Sequence, residues 1–165
     1  MKQQTINTNK MIVLALFTCT ALLLSYIESL IPFFAGVPGM KLGLPNLAVV
    51  FLLWRYGYKE AAMVNVLRII MSGFLFGNLF SILFSISGAL VSFIAMYIAK
   101  KCRFSEYAVS MVGAVFHNIG QILVAMWIVQ TVSVVVYVPI LLMAALITGY
   151  VIGMIANLML KYMPR

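Results

Sequence analysis

The sequence predicts an all-α integral membrane protein, with six transmembrane helices in one bundle and both termini cytoplasmic. Two observations carry that expectation. Of the 165 residues, 65% are hydrophobic and only 8% are charged, and no polar stretch is long enough for a separate soluble domain. The cations also fall in short gaps between long apolar runs, on alternate gaps, as the positive-inside rule describes. Lys2, Lys10, Arg55, Lys59, Lys100, Lys101, Arg103, Lys161 and Arg165 belong to one side, Lys41 to the other, and Arg68 is left inside a span. A five- or seven-span division would spoil this separation. The chain divides into a cytoplasmic tail, residues 1–10, and a single transmembrane domain, residues 11–165. The net charge of +8 would suggest nucleic acid in a soluble protein. Here the cations sit at the ends of apolar segments, so they read as topology signals and no nucleic-acid partner is expected.

Hydropathy places the spans at 11–33, 44–57, 60–77, 79–99, 106–130 and 138–160. The first follows the polar stretch Lys2 to Lys10, and no small-residue cleavage site comes after it. It is expected to remain as an uncleaved helix. It carries Ala15 with Cys19, then Ala21, Ser25 and Ser29, more than one small-residue row. One row suffices for internal packing, so Ala15, Cys19, Ala21 and Ser25 are the candidate docking face for a partner membrane subunit; internal helix packing is the alternative. Glu28 lies near the outer end of this span. The Gly- and Pro-rich segment from Gly36 to Asn46 follows, with Lys41 in it. Either Glu28 and Lys41 simply fix this loop, or the loop is a lid in which Lys41, Asn46 and free backbone groups contact a ligand.

Spans two and three are shorter than the ~20 residues that a perpendicular helix needs. They are expected to be tilted, covered by neighbours or extended by irregular backbone. Arg68 lies about 12 Å into span three, a depth at which a cation faces the bundle interior or a polar cavity unless it snorkels to the interface. By depth its expected partner is the His117-Asn118-x-Gly120-Gln121 segment of span five, since Glu28 stands about 25 Å up span one. Gly113 and Gly120 remove bulk around His117 and Gln121, which forms either a notch for a ligand head group or a set of interhelical hydrogen bonds. Span four carries Ser81, Ser85, Gly88 and Ser92, and span six carries Ala145, Gly149, Gly153 and Asn157, both ladders suited to close helix packing.

Catalytic patterns are missing. The chain has no aspartate, and its acids are Glu28, Glu60 and Glu106, far apart in sequence. The clustered oxygens that hold magnesium on a diphosphate are therefore not supplied, and no GxxxxGK[ST] loop exists to bind a nucleotide. His117 has no sequence partner for a hydrolytic triad. Cys19 and Cys102 make neither a metal motif nor an expected disulfide. The expectation is a protein that is not an enzyme and binds no metal.

The run Glu28-Ser29-Leu30-Ile31-Pro32, the segment Pro38 to Asn46, Arg68 with Ser72-Gly73 and Phe76-Gly77-Asn78, Ser87-Gly88 to Ser92, and Gly113 to Gln121 together resemble one bacterial family. This is the Gx transporter family, also known as heptaprenyl diphosphate synthase component I. The likeness runs from about residue 11 to residue 160, with Pro45 standing where the family often has a small residue. The family in turn resembles the S components of energy-coupling-factor transporters, small six-helix proteins that bind a ligand and dock on a coupling subunit with ATPases. The resemblance implies a non-enzymatic ligand-binding membrane component, with a pocket covered by the loop between spans one and two and docking through small residues of span one; the residues expected around the ligand are Glu28, Lys41, Asn46, Arg68, Asn78, His117, Asn118 and Gln121. It also implies a quinone, isoprenoid or flavin as ligand. Two alternatives follow from it: a membrane subunit passing electrons from quinol to an extracytoplasmic flavoprotein, and a non-catalytic membrane partner of a polyprenyl diphosphate synthase.

Overall fold

A computed structural model describes residues 8–31, 42–130, 135–136 and 138–163. Its helices are α1 (Thr8–Leu30), α2 (Asn46–Arg55), α3 (Tyr58–Phe76), α4 (Leu79–Lys101), α5 (Glu106–Val129) and α6 (Val138–Tyr162). The six expected spans are thus six helices, with ends shifted by a few residues, and no strand occurs among the described residues. Four of them, α1, α4, α5 and α6, are long and apolar enough to cross a membrane. The chain is an all-helical membrane bundle.

The two short spans resolve differently. α2 has 10 residues, about 15 Å of helix, and cannot cross a bilayer alone. It is covered by neighbours instead: Ala48 to Leu53 are all buried, because α1, α3, α5 and α6 surround it. α3 has 19 residues, long enough to span, but Lys59, Glu60, Asn65 and Arg68 make it more polar than the other long helices. The burial of Asn65 and Arg68 inside the bundle accounts for that polarity.

The bundle is built from two unequal groups around α2. α4, α5 and α6 form a tight slab, while α1 packs on α3 and α2 only. Small residues bring the slab helices to backbone contact. A Cβ added at Gly120 would lie 2.8 Å from the Ser87 carbonyl oxygen, and one at Gly149 would lie 2.8 Å from Met111 Cα. Ser92 Oγ donates across to Gly113 O at 2.8 Å, and Asn157 Nδ2 donates to the Tyr107 hydroxyl at 3.0 Å. The span-six ladder is therefore an internal packing face, and the notch expected at Gly120 is filled by α4.

One end of the bundle collects the cations. Lys10 at the start of α1 pairs with Glu60 at the start of α3. Lys100, at the end of α4, donates to Leu53 O at 2.7 Å and lies over the Trp54 ring, 4.6 Å from its centroid. Long side chains here cover apolar surface and return their charge to helix C-terminal carbonyls. The alternation of cationic gaps thus corresponds to one physical face of the bundle. The opposite end joins α3 to α4 through Gly77 and Asn78. Asn78 and Ser81 form a reciprocal capping box, with Ser81 N donating to Asn78 Oδ1 at 2.8 Å and Asn78 N donating to Ser81 Oγ at 3.0 Å. Asn78→Ala should lower stability by about 1 kcal/mol, read as a lower thermal midpoint in detergent, with Asn78→Ser retaining most of it.

Candidate functional site

A cavity of about 330 Å³ lies within the bundle, lined by residues from all six helices. Arg68 is its central charge. The residue is only 9% exposed, placed by the middle of α3 and held from two sides. Nη1 donates to Ser25 Oγ on α1 at 3.4 Å, and Nη2 donates to Asn65 Oδ1, one turn back on α3, at 2.5 Å. Nε is buried and has no hydrogen-bond partner among the described residues. An orphaned donor on a buried cation is costly, so an acceptor at that position would be strongly favoured.

Glu28 lines the same cavity. It also accepts from Gly43 N at 2.5 Å, which ties the end of α1 to the turn before α2. That turn needs glycine: Gly43 has φ of 73°, and Asn46 N and Leu47 N bond back to Gly43 O and Leu44 O. The cavity therefore has a cationic side on α3 and an acidic side on α1. The hydrogen bonds of Arg68 go to Ser25, one turn before Glu28, and to Asn65, where depth along the spans pointed to the His117 segment.

Asn46, His117 and Asn118 line this cavity as well. Asn118 Nδ2 donates to Leu141 O at 3.0 Å, a link between α5 and α6, so its amide hydrogens are partly used in packing. Two expected ligand residues stand apart from the cavity lining. Asn78 caps α4, and Gln121 packs on α4 at Gly88, where its Cγ lies 3.0 Å from the place a Cβ would occupy. Lys41 lies outside the described residues.

The candidate docking face of α1 splits in two. Ala21 and Ser25 are buried and face the bundle, so they are unavailable to a partner; the Arg68 contact is the physical reason for Ser25. Ala15 and Cys19 are exposed on the outer side of the helix. With its two small-residue rows about 120° apart around the helix, α1 uses one for internal packing and leaves one outside.

Sequence reasoning missed Asn65 altogether. It stands three residues before Arg68, and i, i+3 neighbours share a helix face, so a polar pair at that spacing was the available signal. Ser72, Ser92 and Thr148 also line the cavity. The described residues contain no group of three His, Cys, Asp or Glu able to hold a metal ion. The arrangement can hold the polar head of a small molecule.

The family model described as "Heptaprenyl diphosphate synthase component I" matches residues 17–159. The curated proteins and the solved structures contain no match to the chain.

Proposed function

Because the chain belongs to the heptaprenyl diphosphate synthase component I family, we propose that it is a non-enzymatic membrane component that binds a small molecule inside its helix bundle and works with partner subunits. The observation that carries this reading is Arg68, a buried cation whose Nε has no partner among the described residues, in a cavity of about 330 Å³. A cavity of this size with a few convergent polar groups is typical of ligand sites, and intramembrane cations mark such sites by default. Glu28, Asn46, Asn65, Arg68 and His117 are the residues placed to contact the head group, with Lys41 a further candidate from its sequence position.

A second reading is favoured by the family description: the chain is a non-catalytic membrane partner of a polyprenyl diphosphate synthase component. The two readings are compatible, since a bundle that holds a ligand can also hold a soluble enzyme at the membrane. The cationic end, with Arg55, Lys59, Lys101 and Arg103, is the face offered to such a partner, and the positive-inside rule puts it in the cytoplasm. The S-component likeness, with its coupling subunit and ATPases, and electron transfer to a flavoprotein draw no support from the family match. A quinone or flavin ligand likewise rests on the earlier resemblance alone.

Native mass spectrometry of the protein extracted gently from its own membranes tests both readings together. A retained small molecule supports the cavity reading, and a co-purifying soluble prenyl synthase supports the partner reading. A bare chain that also fails to take up any added small molecule would sink the first.

A further inference from the structure

Two exposed apolar stripes end in a cation at the same edge of the bundle. On α3, Lys59 leads the row Met63, Leu67 and Ile70, at steps of four, four and three residues, and all of these side chains are exposed. On α4, the exposed row Leu90, Ile94 and Ile98 runs at the same kind of spacing into Lys101, which is exposed as well. Steps of three and four keep side chains on one face of a helix, so each lysine caps one apolar face. In a membrane bundle such faces meet acyl chains, and a long cationic side chain at their end reaches the head-group level.

Aromatic contacts bring the two lysines to one place. The Tyr58 and Tyr97 rings meet edge to face with centroids 4.8 Å apart, and the Tyr58 hydroxyl donates to Tyr97 O at 3.5 Å. Lys59 follows Tyr58 directly, and Lys101 Nζ lies 4.6 Å from the Tyr97 ring centroid. Lys100 is engaged inward instead, on Leu53 O and over the Trp54 and Tyr58 rings. Glu60 is held by Lys10, and neither Lys59 nor Lys101 forms a salt bridge among the described residues. From this we infer that the edge between the start of α3 and the end of α4 binds an anionic phospholipid, its phosphate between Lys59 and Lys101 and its acyl chains along the two stripes. A soluble acidic protein would meet the two charges but not the stripes, which lie at acyl-chain depth. A phosphate without chains would leave the stripes to other lipids. One molecule that carries both a negative head and two apolar chains matches charge and surface together. The inference stands apart from the ligand-cavity reading, and it assigns two cations of the cationic end to lipid rather than to a soluble partner.

The test is native mass spectrometry of the full chain in detergent, offered equal amounts of phosphatidylglycerol and phosphatidylcholine with matched acyl chains. A basic residue near an anionic head group is worth about fivefold in binding, so two lysines should favour phosphatidylglycerol by about tenfold or more. Lys59→Gln/Lys101→Gln should bring the ratio of the two bound lipids toward one. Lys59→Arg/Lys101→Arg keeps the charges and should keep the preference. A charge-matched control, Lys161→Gln/Arg165→Gln, removes two cations from the C-terminal end of the chain and should leave the ratio unchanged. An excess of glycerol 3-phosphate, the head without its chains, should not displace the bound lipid. Equal retention of the two lipids by the unaltered chain overturns the inference, as does an unchanged ratio in the glutamine variant or a lost preference in the arginine variant. An equal loss in the charge-matched control would mean that net charge alone attracts the lipid, and displacement by glycerol 3-phosphate would mean that the stripes hold nothing; either result also overturns it.

Discussion

Arg68→Met is expected to abolish retention of the small molecule while leaving the chain in the membrane at about its normal level. Arginine at this position is surrounded by the bundle, and it contributes no ion pair or hydrogen bond that reaches α4, α5 or α6 among the described contacts. Methionine fills similar length without carrying a charge out of water, so the desolvation cost of the cation disappears. Asn65 Oδ1 loses its partner, at a cost of about 1–3 kcal/mol for an unsatisfied buried group, while Ser25 Oγ keeps its bond to Ala21 O. These terms oppose each other, and a modest net change in stability is the outcome. The guest has no such compensation, because Nε, which has no partner among the described residues, and the positive charge are removed together. Native mass spectrometry on matched membrane preparations checks the prediction. If Arg68→Met retains the same molecule at the same occupancy, the guanidinium is not a ligand contact; if the variant disappears from the membrane, Arg68 is chiefly structural.

Gly149→Val is expected to have the largest effect on stability. The added Cβ would sit 2.8 Å from Met111 Cα and 3.2 Å from Met111 N, both backbone atoms that no rotamer change can move. α5 and α6 would have to separate along the contact that also includes Gly153 against Tyr107 Cα. Overpacking of this kind costs about 1–3 kcal/mol or more, and here it also opens the wall of the cavity, since Gly149 lines it. Ile147, two residues away and 64% exposed, is the control: Ile147→Ala should change stability by about 0.5 kcal/mol or less. Thermal unfolding in detergent distinguishes them. A Gly149→Val midpoint equal to that of Ile147→Ala would mean that α5 and α6 do not meet as described.

The helix count was legible because a long apolar run has few alternatives in a membrane, and the cationic gaps mark its ends. α2 was legible only as an anomaly. Its shortness is visible in the sequence, but the burial of Ala48 to Leu53 follows from four other helices closing around it. Arg68 stood out because a charge inside a span is expensive wherever it points. Its partners did not, since depth along separate helices says nothing about tilt or about which way a long side chain reaches. Gln121 and Asn78 stand apart from the cavity lining, and their placement was not legible for a related reason: a polar residue in a membrane protein must bond to something, and the sequence does not distinguish a ligand from a helix end or a neighbouring helix.

What the sequence determined by itself is the solvent and the period: apolar runs long enough for a bilayer, their alternation with cations, and the small residues that permit close approach. These depend on composition and spacing along one chain segment at a time. Only the tertiary structure decided which rows of α1 face inward, that Ser25 and Asn65 hold Arg68, that α4 fills the notch at Gly120, and that Glu28 shares a cavity with Arg68. Each of those is a relation between helices, set by tilt, rotation and backbone separation. No single segment carries that information, because the free energy that selects one arrangement comes from all six helices packing at once.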